Sequence, residues 1–305
     1  MSQALSIAAH VLVCLLFPPL LLGLIVKVKA FFGGRSGAPV LQPYFDLLRL
    51  VRKGSVFSRT TTWVFQAGPV VSLVALGLAA LLMPLGGHPA PLSFGGDVVL
   101  FAYLLALGRF FTIAAALDTG SSFEGMGAAR EAAFSALAEP GLFLGLMVLV
   151  RKAGEASLTA MLAPEAVQRA WGGTGGALVL VAVSFAVVLL VENSRVPVDD
   201  PTTHLELTMI HEVMVLDHSG PGLAAILYGA ALKLFLLGAL VASVVYPYST
   251  GNVWADWGLF LVAMSGLALG IGVLESIMAR LRLLHVPRLL VAASVLSLFG
   301  IILSR

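Results

Sequence analysis

Six ionisable side chains stand inside apolar stretches of this chain: Arg109, Glu131, Glu139, Glu192, Lys233 and Glu275. A charge near the centre of a bilayer costs at least about 2.5–3.5 kcal/mol on insertion scales. Each of the six therefore needs a partner, water or a shifted pKa. A buried carboxyl whose pKa approaches neutrality binds and releases protons, which is the chemistry of a relay. Structural ion pairs inside a helix bundle use the same residue types. Glu192 and Glu275 fall at the predicted ends of their apolar stretches, within reach of water or of Arg195 and Arg280. Glu139 and Lys233 lie deeper, where snorkelling helps less.

The densest constellation is ENSRVPVDDPTTHLELTMIHEVMVLDHSG at 192–220, with the carboxyls of Glu192, Asp199, Asp200, Glu206, Glu212 and Asp217 and three histidines. His204, His211 and His218 are seven apart, so a helix would align them on one face. Neighbours would be separated by about 10.5 Å of rise, too far to ligate one metal at about 2 Å. HEVMV starts like a zinc-protease motif, but Val215 stands where the second histidine belongs. The segment reads as an acidic surface that is solvated, exchanges protons or docks a subunit. No phosphate loop, dinucleotide loop, CxxC pair or catalytic triad is present, so no catalytic, cofactor or metal residue is assigned. Chemistry must involve protons, ions or a partner's cofactors.

The elements that hold these groups follow from composition. The 305 residues are 59% apolar and 11% charged, with a formal net charge of +2. Soluble domains carry roughly 25% charged residues, and so few charges cannot coat a water-facing surface. A soluble enzyme, a nucleic-acid binder and a disordered chain are excluded. Eight stretches reach spanning length, roughly 5–26, 64–85, 97–117, 131–150, 176–192, 222–246, 257–278 and 288–304. The expected fold is an all-α integral membrane protein, one polytopic domain over 1–305. Connections after odd-numbered spans hold 12 basic residues, and those after even-numbered spans, with the termini, hold four. The positive-inside rule then places the odd connections in the cytoplasm and both termini outside. GGTGG at 172–176 reads as an outside turn. In 40–53, Tyr44, Leu47, Leu48 and Val51 share a face away from Asp46, Arg49 and Lys53, as in a helix lying in the headgroup layer.

Four blocks carry a resemblance. RSGAPVLQPYFDLLRLVRK (35–53), LDTGSSFEGMGAAREAAFSALAEP (117–140), Glu192 with VPVDD and Glu206, and ESIMARLRLLHVPRLL (275–290) are similar, in this order, to the membrane-anchor subunit shared by respiratory complex I (subunit 1, or H) and group 4 [NiFe] hydrogenases such as formate hydrogenlyase. The LDTGS and AREA…EP patterns resemble the hydrogenase branch.

The resemblance implies a tilted helical bundle in a bacterial or archaeal cytoplasmic membrane. It would be a non-catalytic subunit coupling a redox arm to proton or sodium translocation. Implied partners are hydrogenase-like large and small subunits, iron–sulfur subunits, antiporter-like membrane subunits and lipid, with no nucleic acid. The [NiFe] centre and iron–sulfur clusters would reside in those partners. The candidate ion-coupling residues are Glu131, Glu139, Glu192, Asp199, Glu206, Lys233 and Glu275. The candidates for charge compensation and redox-arm docking are Arg35, Gln42, Asp46, Asp118, Arg130, Arg195, Arg280 and Arg282. Thr202, Thr203 and His204 replace the richer acidic stretch of quinone-reducing relatives, and His218 stands where a Tyr is expected, which weighs against a quinone chamber. A quinone-binding complex I subunit and a stand-alone ion transporter are the rival readings.

Overall fold

The computed structural model describes residues 3–199, 209–247 and 249–304. Among them, eight helices are long and apolar enough to cross a membrane. They are α1 (Gln3–Phe32), α3 (Trp63–Leu82), α4 (Asp97–Asp118), α5 (Ser122–Ala153), α7 (Pro164–Glu192), α8 (Gly220–Val245), α9 (Val253–Ile277) and α10 (Val286–Leu303). The shorter α2 (Gln42–Val51) follows α1, and α6 (Leu158–Met161) follows α5. A bundle of helices satisfies its backbone hydrogen bonds internally, as hydrocarbon requires. The all-α membrane architecture expected from composition is the one observed.

One helix is central. In α8, 78% of the apolar window is buried within the protein, against 28–50% in the other seven. Leu232, Leu234, Phe235, Leu236 and Leu237 are all buried, so α8 is enclosed on every side. A helix that is apolar all round belongs in such a place. Lys233 sits in the middle of this run, about 20 Å of helical rise from Gly220.

The two ends of the bundle are built differently. One end carries the connections 83–96, 154–163 and 246–252 and is tied by neutral donors to carboxylates. Asp97, at the start of α4, accepts from Leu158 N–H at 2.7 Å, from Ser157 Oγ at 3.1 Å and from Phe94 N–H at 3.2 Å. Asp256 in the first turn of α9 accepts from Thr250 N–H at 2.6 Å and Thr250 Oγ1 at 2.8 Å. Carboxylates in first turns complement the helix dipole as well as its free N–H groups. The opposite end holds the basic connections. There Gly220, at φ +56°, has a hypothetical Cβ 2.9 Å from Lys53 O, so only glycine lets the start of α8 approach the segment after α2.

Several boundaries move from their expected positions. The fifth span begins at Pro164, not 176, and GGTGG lies inside α7 as a kink with Thr174 at φ −140°, ψ 43°. Gln168 Nε2 donates to Pro247 O at 2.6 Å and Trp171 Nε1 to Val244 O at 2.9 Å. These tertiary anchors hold the first turns helical despite the glycines. Likewise α5 begins at Ser122, not 131, and α1 runs to Phe32, past the expected end at 26.

α2 forms as expected, but its exposed apolar stripe is Leu41, Phe45, Leu48 and Val51. Tyr44 and Leu47 turn partly inward, and the Tyr44 hydroxyl donates to the carbonyl of Leu16 on α1. The helix thus packs on the bundle through part of the expected apolar face and shows the rest outward.

Asp97→Ala leaves the buried Leu158 N–H without an acceptor, at an expected cost of about 1–3 kcal/mol. The single cysteine, Cys14, is buried, so a thiol-reactive dye reports unfolding on heating. The variant should label at a lower temperature than the parent; unchanged labelling would show that this tie is dispensable.

Candidate ion-coupling site

The site starts where α7 stops. Arg195 N–H donates to Leu190 O at 2.8 Å and Ser194 N–H to Val191 O at 3.0 Å, with Ser194 at φ +47°. These are the two hydrogen bonds of a Schellman ending, with serine in the left-handed position glycine usually fills. This ending is inside the bundle, because the connection after it turns inward. Val196, Val198, Met209, Ile210, Val213, Met214 and Val215 are all buried. Gly127 on α5 admits them: a Cβ there would meet Ile210 O at 2.8 Å and the Val213 side chain.

Glu192, the last residue of α7, is therefore delivered to the middle of the bundle. Its Oε1 accepts from Arg109 Nη1 at 3.1 Å, and its Oε2 lies 3.7 Å from Lys233 Nζ. Arg109 also reaches Glu139 at 3.5 Å. Arg109 and Glu139 lie near the midpoints of α4 and α5. Two cations and two carboxylates thus balance one another. Glu192 is 8% and Arg109 9% exposed at the side chain, whereas Glu139 is 44% exposed on the flank of the bundle. Glu131, 5% exposed, lines a cavity of about 30 Å³ with Arg109, His211 and Lys233.

A second group lies toward the basic end. Glu275 on α9 pairs with Lys29 at 3.1 Å and Arg195 at 3.4 Å. Asp199 pairs with Arg280 at 2.8 Å and accepts from Ile210 N–H at 2.9 Å. The two groups are joined by cavities. An open cleft of about 890 Å³ contains Lys29, Arg35, Arg195 and Glu275. A cavity of about 180 Å³ follows, lined by Arg195, Asp199, Glu192, His211 and Lys233. Beyond it lie the 30 Å³ cavity and one of about 100 Å³ that contains Arg109, Glu139 and Glu192. Each space shares a charged side chain with the next.

Most of the residues expected to couple ions are thus brought onto one line: Glu131, Glu139, Glu192, Asp199, Lys233 and Glu275. Glu206, with Asp200 and His204, lies outside the described residues. Of the expected compensating groups, Arg195 and Arg280 join the line with other partners than expected: Arg195 meets Glu275, and Arg280 meets Asp199. Glu192 meets neither arginine, because its helix end is internal and faces Arg109 and Lys233. Arg130 donates to Met209 O at 2.9 Å and pins the inward connection. Arg35 is exposed and lines the cleft, and Arg282 is exposed and lies outside the cleft lining. Gln42 and Asp46 bond to each other at 2.8 Å on α2, apart from the ion pairs. Asp118 accepts from Thr62 and Phe65 and ties α4 to the start of α3.

Lys29 and His211 were not among the expected site residues. Lys29 lies three residues past the expected end of the first span, and a helix carried to Phe32 would have shown it. His211 and His218 do not share a helical face: among the described residues of the connection, the regular structure is a single 3₁₀ turn, Glu212–Val215. His211 turns to the ion cluster. His218 stacks on Phe65 with centroids 4.0 Å apart and planes 6° from parallel. In its described part the connection is a folded-in plug, not a solvated acidic face, because its apolar residues outnumber its charges and find room beside Gly127.

A family profile described as NADH dehydrogenase matches residues 5–304. The chain belongs to the NADH dehydrogenase family. Within this family it is 32% identical over 277 residues to formate hydrogenlyase subunit 4 of Escherichia coli (strain K12), covering 89% of each chain. It is 31% identical over 241 residues to hydrogenase-4 component C of the same organism, covering 79% of this chain and 74% of the relative. An NADH-quinone oxidoreductase subunit of Syntrophotalea carbinolica (strain DSM 2380 / NBRC 103641 / GraBd1) is 26% identical over 258 residues, covering 80% and 74%. A chain of the membrane-bound sulfane sulfur reductase, an archaeal respiratory membrane complex, superposes with a TM-score of 0.84 at 20% identity over the full length of both, which shows the shared fold. The family resemblance carried by the four sequence blocks is thus borne out.

Burial pushes the His218 imidazole down to about 4, with nearby Asp217 opposing the shift. Its folded pKa lies below the unfolded value of about 6.5, so protons bind the unfolded chain preferentially. Stability from the neutral ring is present above about pH 6.5 and is lost as pH falls toward 4. His218→Phe keeps the stack on Phe65 and removes the titration. Thermal unfolding followed at Cys14 should show a shallower loss of stability between pH 6.5 and 4 in the variant, with little change at pH 7.5. An unchanged acid limb would contradict this.

Proposed function

We propose that this chain is the membrane subunit of a group 4 [NiFe] hydrogenase-type complex, holding the peripheral redox arm at its basic end and coupling electron transfer to ion translocation through its buried carboxylates. The observation that carries the reading is the unbroken line of paired ions and small cavities from the cleft at Lys29, Arg35, Arg195 and Glu275 to Glu139 on the bundle's flank. The identity to formate hydrogenlyase subunit 4 and hydrogenase-4 component C supports the hydrogenase branch. The excess of basic residues at one end supports its facing the cytoplasm, with both termini outside.

On this reading, a change of charge in the redox arm above the cleft acts first on Glu275, Arg195 and Asp199. Glu275 and Arg195 are paired, and Arg195 and Asp199 line one cavity, so their charge states act on one another. The disturbance passes to Glu192 through Lys233 and Arg109, and to Glu139 through Arg109. Each carboxylate gives or takes an ion as the charges beside it change. Nickel and iron–sulfur centres belong, on this reading, to partner subunits, and Glu139 faces antiporter-like membrane subunits. This chain supplies no redox centre.

Purification of the assembled complex through a tag on this chain tests the reading. Nickel and a large subunit with two CxxC pairs should accompany it, and vesicles containing the complex should take up ions during turnover. Glu192→Gln and Glu139→Gln should keep electron transfer and lose ion uptake. Co-purification with quinone and no nickel would favour the complex I branch. Recovery of this chain alone, with ion transport of its own, would overturn the assignment.

A further inference from the structure

The coupling line leaves the His211 imidazole without a role. His211 lines both the 180 Å³ cavity, with Asp199 and Glu212, and the 30 Å³ cavity, with Glu131. The smaller space holds a water or two. Among the described residues, only Ala230 and Lys233 are also common to both. Alanine has no proton to exchange. The Lys233 ammonium can donate but has no lone pair with which to accept, and it is engaged by Glu192 at 3.7 Å. Glu192 itself lines the larger cavity but not the one that contains Glu131.

A neutral imidazole differs from all of these, because one ring nitrogen donates while the other accepts. The surroundings hold His211 in that form: burial, then the Lys233 and Arg195 cations, push it down to about 4. The charged groups that line these two cavities with it are Arg109 from α4, Glu131 from α5, Glu192 from α7, Lys233 from α8, and Arg195, Asp199 and Glu212 from its own connection. Carboxyls and cations therefore line both of the cavities that His211 borders.

We propose that His211 is the proton-transfer bridge between the two cavities. One ring nitrogen accepts a proton from a carboxylic acid on the connection side, Asp199 or Glu212. The other nitrogen gives its own proton, through water, to the carboxylate of Glu131. The acid loses one proton, Glu131 gains one, and the imidazole stays neutral overall; exchange of the ring tautomer resets it. The inference rests on the ion-coupling reading above and commits it to protons at this step.

The test uses the assembled complex in sealed vesicles, with electron transfer and proton uptake read in the same preparation. His211→Gln keeps a side chain that donates and accepts hydrogen bonds but cannot pass a proton through a ring. It should retain electron transfer and lose proton uptake. Proton uptake at the parental rate in His211→Gln, with uptake lost in Glu192→Gln, overturns the bridge and leaves the coupling reading standing. Uptake retained in Glu192→Gln as well overturns the coupling reading itself. Time-resolved infrared spectra of the unmodified complex with ring-labelled histidine need no variant. A labelled ring band should change together with the carboxyl band that Glu131→Gln removes. A carboxyl change with no histidine band, or sodium uptake without protons, overturns the bridge.

Discussion

An ammonium on the one enclosed helix constrains everything around it. Lys233 sits at mid-height on α8, whose other faces are packed with Leu, Phe and Ala. Leaving such a charge unpaired costs several kcal/mol, and a carboxylate must come to it. The fold meets this by ending α7 inside the bundle, so that Glu192 arrives between Lys233 and Arg109. That ending has consequences. The chain after Glu192 must leave from the interior, so the connection is apolar and plugs the bundle, and α5 needs Gly127 where the plug passes. The Schellman turn then points Arg195 at Glu275.

The two ends of the bundle divide the work. At one, Asp97 and Asp256 accept from neutral backbone and hydroxyl donors. At the other, and through the middle, charged groups share partners. Arg109 serves Glu139 and Glu192, Glu192 serves Arg109 and Lys233, and Glu275 serves Lys29 and Arg195. In such an arrangement, protonating one carboxylate alters the field at the next. The same pairing that makes the buried charges tolerable makes them responsive to one another.

Much of this was legible in the sequence for a simple reason: a charge in an apolar run has to be explained, and Arg109, Glu139, Glu192, Lys233 and Glu275 stood out on those terms. What was not legible depends on tertiary contacts. The glycines at 172–176 signal a turn until Gln168 and Trp171 are seen to bond to Pro247 and Val244. Glu192 reads as a solvent-facing helix end until the connection after it is found to fold inward. Equal spacing of His204, His211 and His218 suggests a shared face only if the segment is helical, and a 3₁₀ turn sends His211 and His218 to different neighbours.

The claim on which the account depends is that Lys233 and Glu192 support each other inside the bundle. A double-mutant cycle with Lys233→Met, Glu192→Gln and the double variant measures it directly, with unfolding in detergent followed by labelling of Cys14. Each single change leaves a buried charge short of a partner, so the double variant should lose less stability than the two losses added together. The expected coupling energy is about 0.5–3 kcal/mol, typical of groups in contact within one ion-pair network. Simple additivity, with coupling near zero, would contradict it.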